Sequence, residues 1–307
     1  MCIRDSIVAP GFKTFDPSSF DTYAYTLFPN VMTSIEFERL LSASGPTQGY
    51  MQRPSDGKEP KSIAFLQCVG SRDINRCDRS YCSSVCCTYA IKQAVVAKEH
   101  VPGDLDTAIF FMDIRTHGKE FERYYNQARE EHGVRFVRSR VHSVEKDRTN
   151  GNLCLEYVLE DGTVTSDAFD IVVLSVGIEP SDSALELSNK LGVQLNEHKF
   201  CDHTSFEPVS TSRPGVFACG AFQGPKDIPQ SVVEANAAVG AAAKLLEPMV
   251  SKPLETLETR KGPQTTELFG TPRIGVFVCN CGINIGGVVR VPEVVEYAGS
   301  LPHVVYS

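Results

Sequence analysis

The chain has 307 residues, 42% hydrophobic and 22% charged, with a formal net charge of -8. That length accommodates roughly two domains, and the acidic balance, with lysines and arginines scattered, argues against nucleic acid as a main partner. No apolar run approaches the ~18–20 residues of a membrane span, and the opening "MCIRDSIVAPGF" is too short in its apolar stretch for a signal peptide.

In chain order, residues 7–12 read as a strand ending in a turn at Gly11. Residues 13–61 are rich in turn signals ("FDPSSFD", "SGPTQG", "RPSDGKEP"), with one short helix near 33–43 opened by Thr33 or Ser34 and followed by Glu36. "SIAFLQ" (62–67) is an apolar strand, and from about Ser80 to His100 small and apolar residues recur at helical spacing. "TAIFFMDIR" then reads as a strand, "GKEFERYYNQAREEHG" as a helix closed by Gly133, and "VRFVRSRVHSVEKD" alternates as a strand. The stretch 152–177 predicts a hairpin turned at Asp161-Gly162, then a buried strand. "GVFACGAFQGPKDIPQSVVEANAAVGAAAKLL" reads as strand, glycine turn and helix, with Asp227 placed to cap the helix. Residues 248–272 have linker composition, and "RIGVFVCNCGINIGG" starts a new strand and a new domain. Both ends fall close to strands, so the chain is expected to be a piece of a longer protein.

Five of the eleven cysteines lie between Gln67 and Cys87. An odd, clustered set does not suit a secreted disulfide framework; it points to metal or redox chemistry in a reducing, cytoplasmic setting. Cys68, Cys82, Cys86 and Cys87 form C-x13-C-x3-C-C, with Cys68 just beyond the strand and Cys82 and Cys86 expected one turn apart on a helix. Soft thiolates in such a group suit an iron-sulfur cluster or zinc. Structural zinc usually brings paired C-x2-C knuckles, and a redox disulfide more often uses C-x-x-C; neither is present. Inert buried thiols would explain one or two cysteines, and Cys77, in the loop, is either a substitute ligand or a free thiol. The βαβ pattern over 62–145 places this loop at the carboxyl end of a strand, where dinucleotide-binding folds present G-x-G-x-x-G. Only Gly70 stands there, so a cluster takes the seat of a nicotinamide cofactor. His117, His142 and His203 have no metal-like spacing.

The 215–246 segment resembles the closing motif of thioredoxin-reductase-like flavoproteins, whose strand and glycine turn meet an FAD phosphate. Gly220-Ala221 stands where that family commonly has Gly-Asp, and Pro10 in "IVAPGF" replaces a usual Thr. "AFLQCVGSRD…YCSSVCCTYAIKQA", "FFMDIRTHGKEFE" and "GPKDIP", in that order, resemble the A subunit of heterodisulfide reductase over about residues 7–248. The resemblance implies an α/β, Rossmann-like two-domain flavoprotein of thioredoxin-reductase type. It implies FAD at Gly11, Gly220, Ala221, Lys226 and Ile228, and a [4Fe-4S] cluster on Cys68, Cys82, Cys86 and Cys87. Lys92 is placed near the flavin as a catalytic cation, against a plain solvent-facing lysine. The expected segments are 1–61 (end of a first FAD segment and connector), 62–180 (NAD(P)-like unit with the cysteines), 181–248 (C-terminal FAD segment), 249–272 (linker) and 273–307. The last resembles the start of the N-terminal domain of that same family, which suggests a tandem fusion, with Cys279 and Cys281 available to a further cluster.

The implied function is electron transfer, with electron bifurcation as a possible mode. Its partners are other heterodisulfide-reductase-type subunits and ferredoxin, hydrogenase or dehydrogenase donors. A pyridine-nucleotide disulfide oxidoreductase and a non-catalytic cluster-bearing scaffold are the alternatives.

Overall fold

The computed structural model describes residues 6–147, 151–250, 272–280 and 285–307. At its centre lie β3 (Val31–Thr33), β4 (Ser62–Val69), β5 (Asp106–Phe111), β6 (Arg135–Arg138) and β10 (Ile171–Val176). They form a five-stranded parallel sheet in the order β3-β10-β4-β5-β6. All six residues of β10 are buried, as a strand covered on both faces of a parallel sheet must be. The crossovers β4 to β5 and β5 to β6 run through helices α3 (Cys86–His100) and α4 (Phe121–Glu130).

Strand alternation sorts the core into two layers. Ile63, Phe65, Ile109, Ile171 and Val173 pack against Phe37 and Leu41 of α1 (Ser34–Leu41) and Ile91 and Ala94 of α3. Ala64, Leu66, Phe110, Val172 and Leu174 face the other way. There they meet Leu153, Leu155, Tyr157 and Phe169 from an antiparallel sheet of β7 (Val144–Lys146), β8 (Leu153–Val158) and β9 (Val164–Phe169).

Two local expectations hold in detail. Thr33 and Glu36 form a reciprocal capping box at the start of α1, and the hairpin between β8 and β9 turns through Gly162 at φ +87°. Others change. β3, inside the segment 1–61, joins the main sheet beside β10, so the parallel unit begins upstream of residue 62. Its three residues are hidden in the sequence among turn signals. The single strand expected over 134–147 is two, β6 and β7, in different sheets. An additional helix, α5 (Asp182–Leu191), fills the stretch after β10.

A second unit pairs β1 (Ser6–Val8) in parallel with β12 (Val216–Ala218), backed by α5 and by α6 (Ile228–Val250). The chain crosses between the two units on β2 (Lys13–Thr14) and β11 (Ile178–Glu179), which pair antiparallel. Near the C-terminus, β13 (Ile274–Gly275) pairs in parallel with β14 (Val304–Tyr306), with helix α7 (Val291–Gly299) between them in sequence. No helix among the described residues is long and apolar enough to cross a membrane.

Candidate functional site: four thiols at the carboxyl edge of the sheet

Cys68 lies inside β4, not beyond it, and at φ +61°. Leu66 pairs with Leu174 and Val69 with Val176, so β4 spends two residues where β10 spends one. This is a bulge with a left-handed residue, a device that re-aims a side chain. For a non-glycine residue the conformation costs roughly 1–2 kcal/mol, and such strain collects where geometry serves function. Of nine non-glycine residues at positive φ among the described residues, four (Cys68, Arg72, Asp78 and Ser84) fall from the end of β4 to the start of α3.

The helix expected from Ser80 starts later. α3 begins at Cys86, and Ser84 at φ +62° precedes it. Cys82 is therefore not one helical turn from Cys86 on a shared face; it approaches from the loop, accepting a hydrogen bond from the Ser84 amide at 3.3 Å. The reason is tertiary: the Ser83 hydroxyl accepts from the Ile178 amide at 2.9 Å, which pins the loop to β11 and delays the helix. Tyr81 does the same through its hydroxyl to the Ile178 carbonyl at 3.0 Å.

Cys86 and Cys87 occupy the first turn of α3, where the helix dipole favours negative charge. The Cys86 thiol faces the Val176 carbonyl at the end of β10, 3.7 Å away. The Cys87 thiol faces the Asp113 carbonyl, just past the end of β5, at 3.9 Å. All four sulfurs thus gather at the carboxyl edge of the parallel sheet, where ligands of α/β folds sit. Burial pushes the Cys86 thiol well up, and the neighbouring Cys68, Cys87 and Cys82 add to it. Burial also lifts Cys87 to about 11, with Cys68 and Cys82 contributing. Cys68 is raised by burial against the pull of Arg72.

Among the described residues no three His, Cys, Asp or Glu side chains converge as they would around one metal ion. A cubane several ångströms across needs its thiolates at separate corners, not at one point, and is held by four cysteines. Four mutually interacting thiols, three of them buried, fit that group better than a single zinc.

Cys77 stands apart, at the end of the one-turn helix α2 (Ile74–Cys77). Its thiol donates to the Asp73 carbonyl at 3.1 Å, and the charges acting on it are Arg79, Asp73 and Arg140. It lines a polar cavity of about 330 Å³ with Lys13, Arg79, Glu179 and His198. Like the other described cysteines it is not in a disulfide.

Gly11 and Gly220 leave the paired strands β1 and β12 on the same side, since Val8 pairs with Ala218 and the Cys219 amide binds the Val8 carbonyl. Both have positive φ, +76° and +69°. Near Gly220 an added Cβ would meet nothing closer than the Ser231 hydroxyl at 4.0 Å, so conformation and not crowding requires glycine there. The Gly220 amide donates to the Glu234 carboxylate at 3.0 Å. Lys226, its side chain 6% exposed, binds the same carboxylate at 2.5 Å. This turn therefore already accepts an anionic oxygen, the chemistry a phosphate presents. Sequence reasoning misses Glu234; the only signal is an acidic residue in the first turns of a helix rich in small and apolar residues. Ala221 follows in a one-turn helix (Gly220–Phe222), Ile228 opens α6 fully toward solvent, and Asp227 caps the helix through the Gln230 amide at 2.8 Å.

Lys92 pairs with Glu38 of α1, which also accepts from Gln93 at 3.0 Å. It sits on the face between α1 and α3. His142 bonds Arg76 and His203 the Cys201 carbonyl; His117 lines an open cleft of about 630 Å³ beside α4. Cys279 is exposed, and Cys281 lies outside the described residues.

The family model for pyridine nucleotide-disulphide oxidoreductases matches residues 105–239. The chain is 44% identical over 258 residues to the second iron-sulfur A subunit of the CoB–CoM heterodisulfide reductase of Methanopyrus kandleri, covering 80% of this chain and 39% of that protein. It is 41% identical to the A subunit of the H(2):CoB-CoM heterodisulfide,ferredoxin reductase of Methanothermobacter marburgensis (81% and 37% covered). It is 39% identical to a protein of Archaeoglobus profundus that is named for its likeness to the heterodisulfide reductase A subunit (80% and 38% covered). The chain thus spans about two fifths of the length of these relatives. Among solved structures, a thioredoxin reductase of Lactococcus lactis aligns with TM-score 0.50 at 16% identity, covering 79% of this chain and 66% of that one. This likeness shows the two-unit α/β fold. Over the four fifths of its length that align, the chain belongs to the family of heterodisulfide reductase A subunits.

Proposed function

We propose that the chain is the electron-relay part of a heterodisulfide-reductase-type oxidoreductase, with a [4Fe-4S] cluster on Cys68, Cys82, Cys86 and Cys87 and FAD at the Gly220 turn. The observation that carries it is the bulge in β4, which holds Cys68 in a left-handed conformation at the carboxyl end of the strand. When bound, the cluster supplies one-electron transfer and the flavin converts between one- and two-electron chemistry.

The chain's own residues do the positioning. The bulge holds Cys68, the loop holds Cys82 and the start of α3 holds Cys86 and Cys87. The Ser84 amide donates to Cys82. At the flavin side, Gly11, Ala221 and Ile228 border the turn, and the Gly220 amide with Lys226 forms the anion-accepting group. A phosphate oxygen there would compete with Glu234. Lys92 would act on the flavin only after exchanging its Glu38 partner. Electron partners are then other subunits of the complex, as the relatives' names indicate for those proteins, in a cytoplasmic setting. Bifurcation belongs to the whole assembly.

The test is anaerobic purification with analysis of iron, acid-labile sulfide, zinc and flavin. About four irons per chain, lost in Cys86→Ser and retained in Cys77→Ser, is the expected result. Zinc without sulfide would sink the cluster. The match to the pyridine nucleotide-disulphide family model supports a second reading, and flavin reduction by NADPH in a longer form of the protein would favour it.

A further inference from the structure

Two arginines and one carboxylate stand against the thiol group, and the relay as described uses none of them. Arg72 follows the β4 bulge at φ +54°, and its backbone amide binds the Tyr81 carbonyl at 3.0 Å. Its guanidinium pairs with Asp113. Arg115 grips the same carboxylate from the other side, at 3.3 Å through both Nε and Nη2. The carbonyl of Asp113 is the group the Cys87 thiol faces. Arg72 acts on the Cys68 thiol, and Arg115 and Cys82 act on each other, through their charges.

The group thus contains two cations and one anion, a net positive charge beside the thiols, joined to them by the Asp113 carbonyl that Cys87 faces at 3.9 Å. Asp113 separates two guanidiniums that would otherwise repel, and its planar carboxylate fixes both forks. Independently solvated side chains do not explain this arrangement, because Arg72 and Arg115 both bind one carboxylate, with side chains 20% and 36% exposed against 43% for Asp113.

We propose that Arg72, Asp113 and Arg115 are positioning residues that set the reduction potential of the cluster held by the neighbouring cysteines. The inference rests on the cluster reading above. Adding an electron to an anionic cluster is favoured by nearby positive charge and by hydrogen bonds to its sulfurs. Each arginine therefore biases the site toward the reduced state, and the aspartate offsets part of that bias.

The experiment is a redox titration of the full chain, loaded anaerobically with iron and sulfide and followed by electron paramagnetic resonance. Arg72→Met and Arg115→Met should each lower the midpoint potential. Asp113→Asn, which keeps the backbone carbonyl, should raise it, and Arg72→Lys should stay close to wild type. A residue that merely supports the fold would not produce shifts of opposite sign. If Arg72→Met fails to load, Arg115→Met and Asp113→Asn still give the opposed pair. Normal loading with unchanged potentials, or shifts all in one direction, would overturn the inference. Absence of iron and sulfide in the wild-type chain would overturn the cluster reading itself, and the inference with it.

Discussion

At Glu234 one carboxylate serves two partners: it accepts the Gly220 amide at 3.0 Å and holds the buried Lys226 ammonium at 2.5 Å. Removing one member of a buried pair leaves an uncompensated charge, typically at 3–5 kcal/mol, whereas replacing both is often near neutral. Glu234→Gln should therefore destabilise the chain by about 3 kcal/mol in urea unfolding, because the amide can still accept from Gly220 but cannot neutralise Lys226. The double change with Lys226→Met should recover most of that loss; additive losses would show that the two do not form an energetic unit. Residue roles at this scale are only half legible in the sequence. The glycine turn and the Asp227 cap follow from residue preferences, but Glu234 is fourteen positions from the amide it binds, and no local pattern encodes that meeting. Cys68, Cys86 and Cys87 are legible as a group by their density. The left-handed backbone that aims Cys68 is not, because a bulge depends on the partner strand's register.

The cysteine loop as an element is defined by what it is tied to. Ser83 and Tyr81 bind β11, and Arg79 binds the Gly70 carbonyl at 3.2 Å as well as Glu179. These ties postpone α3 by several residues relative to its helical periodicity, since tertiary bonds outweigh the weak preference of Ser and Cys for helix. Gly70 is the tightest point of the loop. It has φ +76°, and a Cβ there would lie 2.0 Å from Phe15 Cγ. Phe15 cannot retreat easily, being packed on Phe20 at 5.1 Å and under Arg79 at 4.8 Å. Gly70→Ala should cost about 2–5 kcal/mol, combining left-handed strain with overpacking. Gly162→Ala, at φ +87° in the open hairpin turn, should cost only the strain, about 1–2 kcal/mol. Equal losses in denaturant titrations would mean that Phe15 yields. The split between β6 and β7 is equally out of reach of alternation alone, since both halves alternate and only their partners differ.

For the molecule as a whole, pH dependence follows from groups whose protonation the fold alters. Burial works to raise Glu38 and Asp113, but Lys92 and Gln93 on the first, and Arg72 and Arg115 on the second, bring both below the usual carboxylate range. Carboxylates lowered in the folded state contribute stability above their ordinary pKa, roughly 4, and lose it as pH falls through the folded value. Burial raises Tyr25 and Tyr81 to about 12, with Glu36 adding to the first. Their contribution is complete below pH ~10 and is lost as pH rises toward the folded value. Urea midpoints should therefore be flat between about pH 5 and 9 and fall on both sides; a maximum near pH ~3 would contradict this assignment. The two-unit α/β plan is legible from the order of strands and helices, while the placement of β3 depends on long-range pairing. The β2–β11 crossing has a mechanical consequence. The Phe15 amide binds the Gly177 carbonyl at 2.9 Å, and the Gly177 amide binds the Val69 carbonyl at 2.8 Å. The tether between the units is thus spliced directly into the strand that carries Cys68. A load applied across the two units travels as shear along that strand, so when the chain is pulled apart its thiol-bearing bulge should register the strain before the outer strand β6 does.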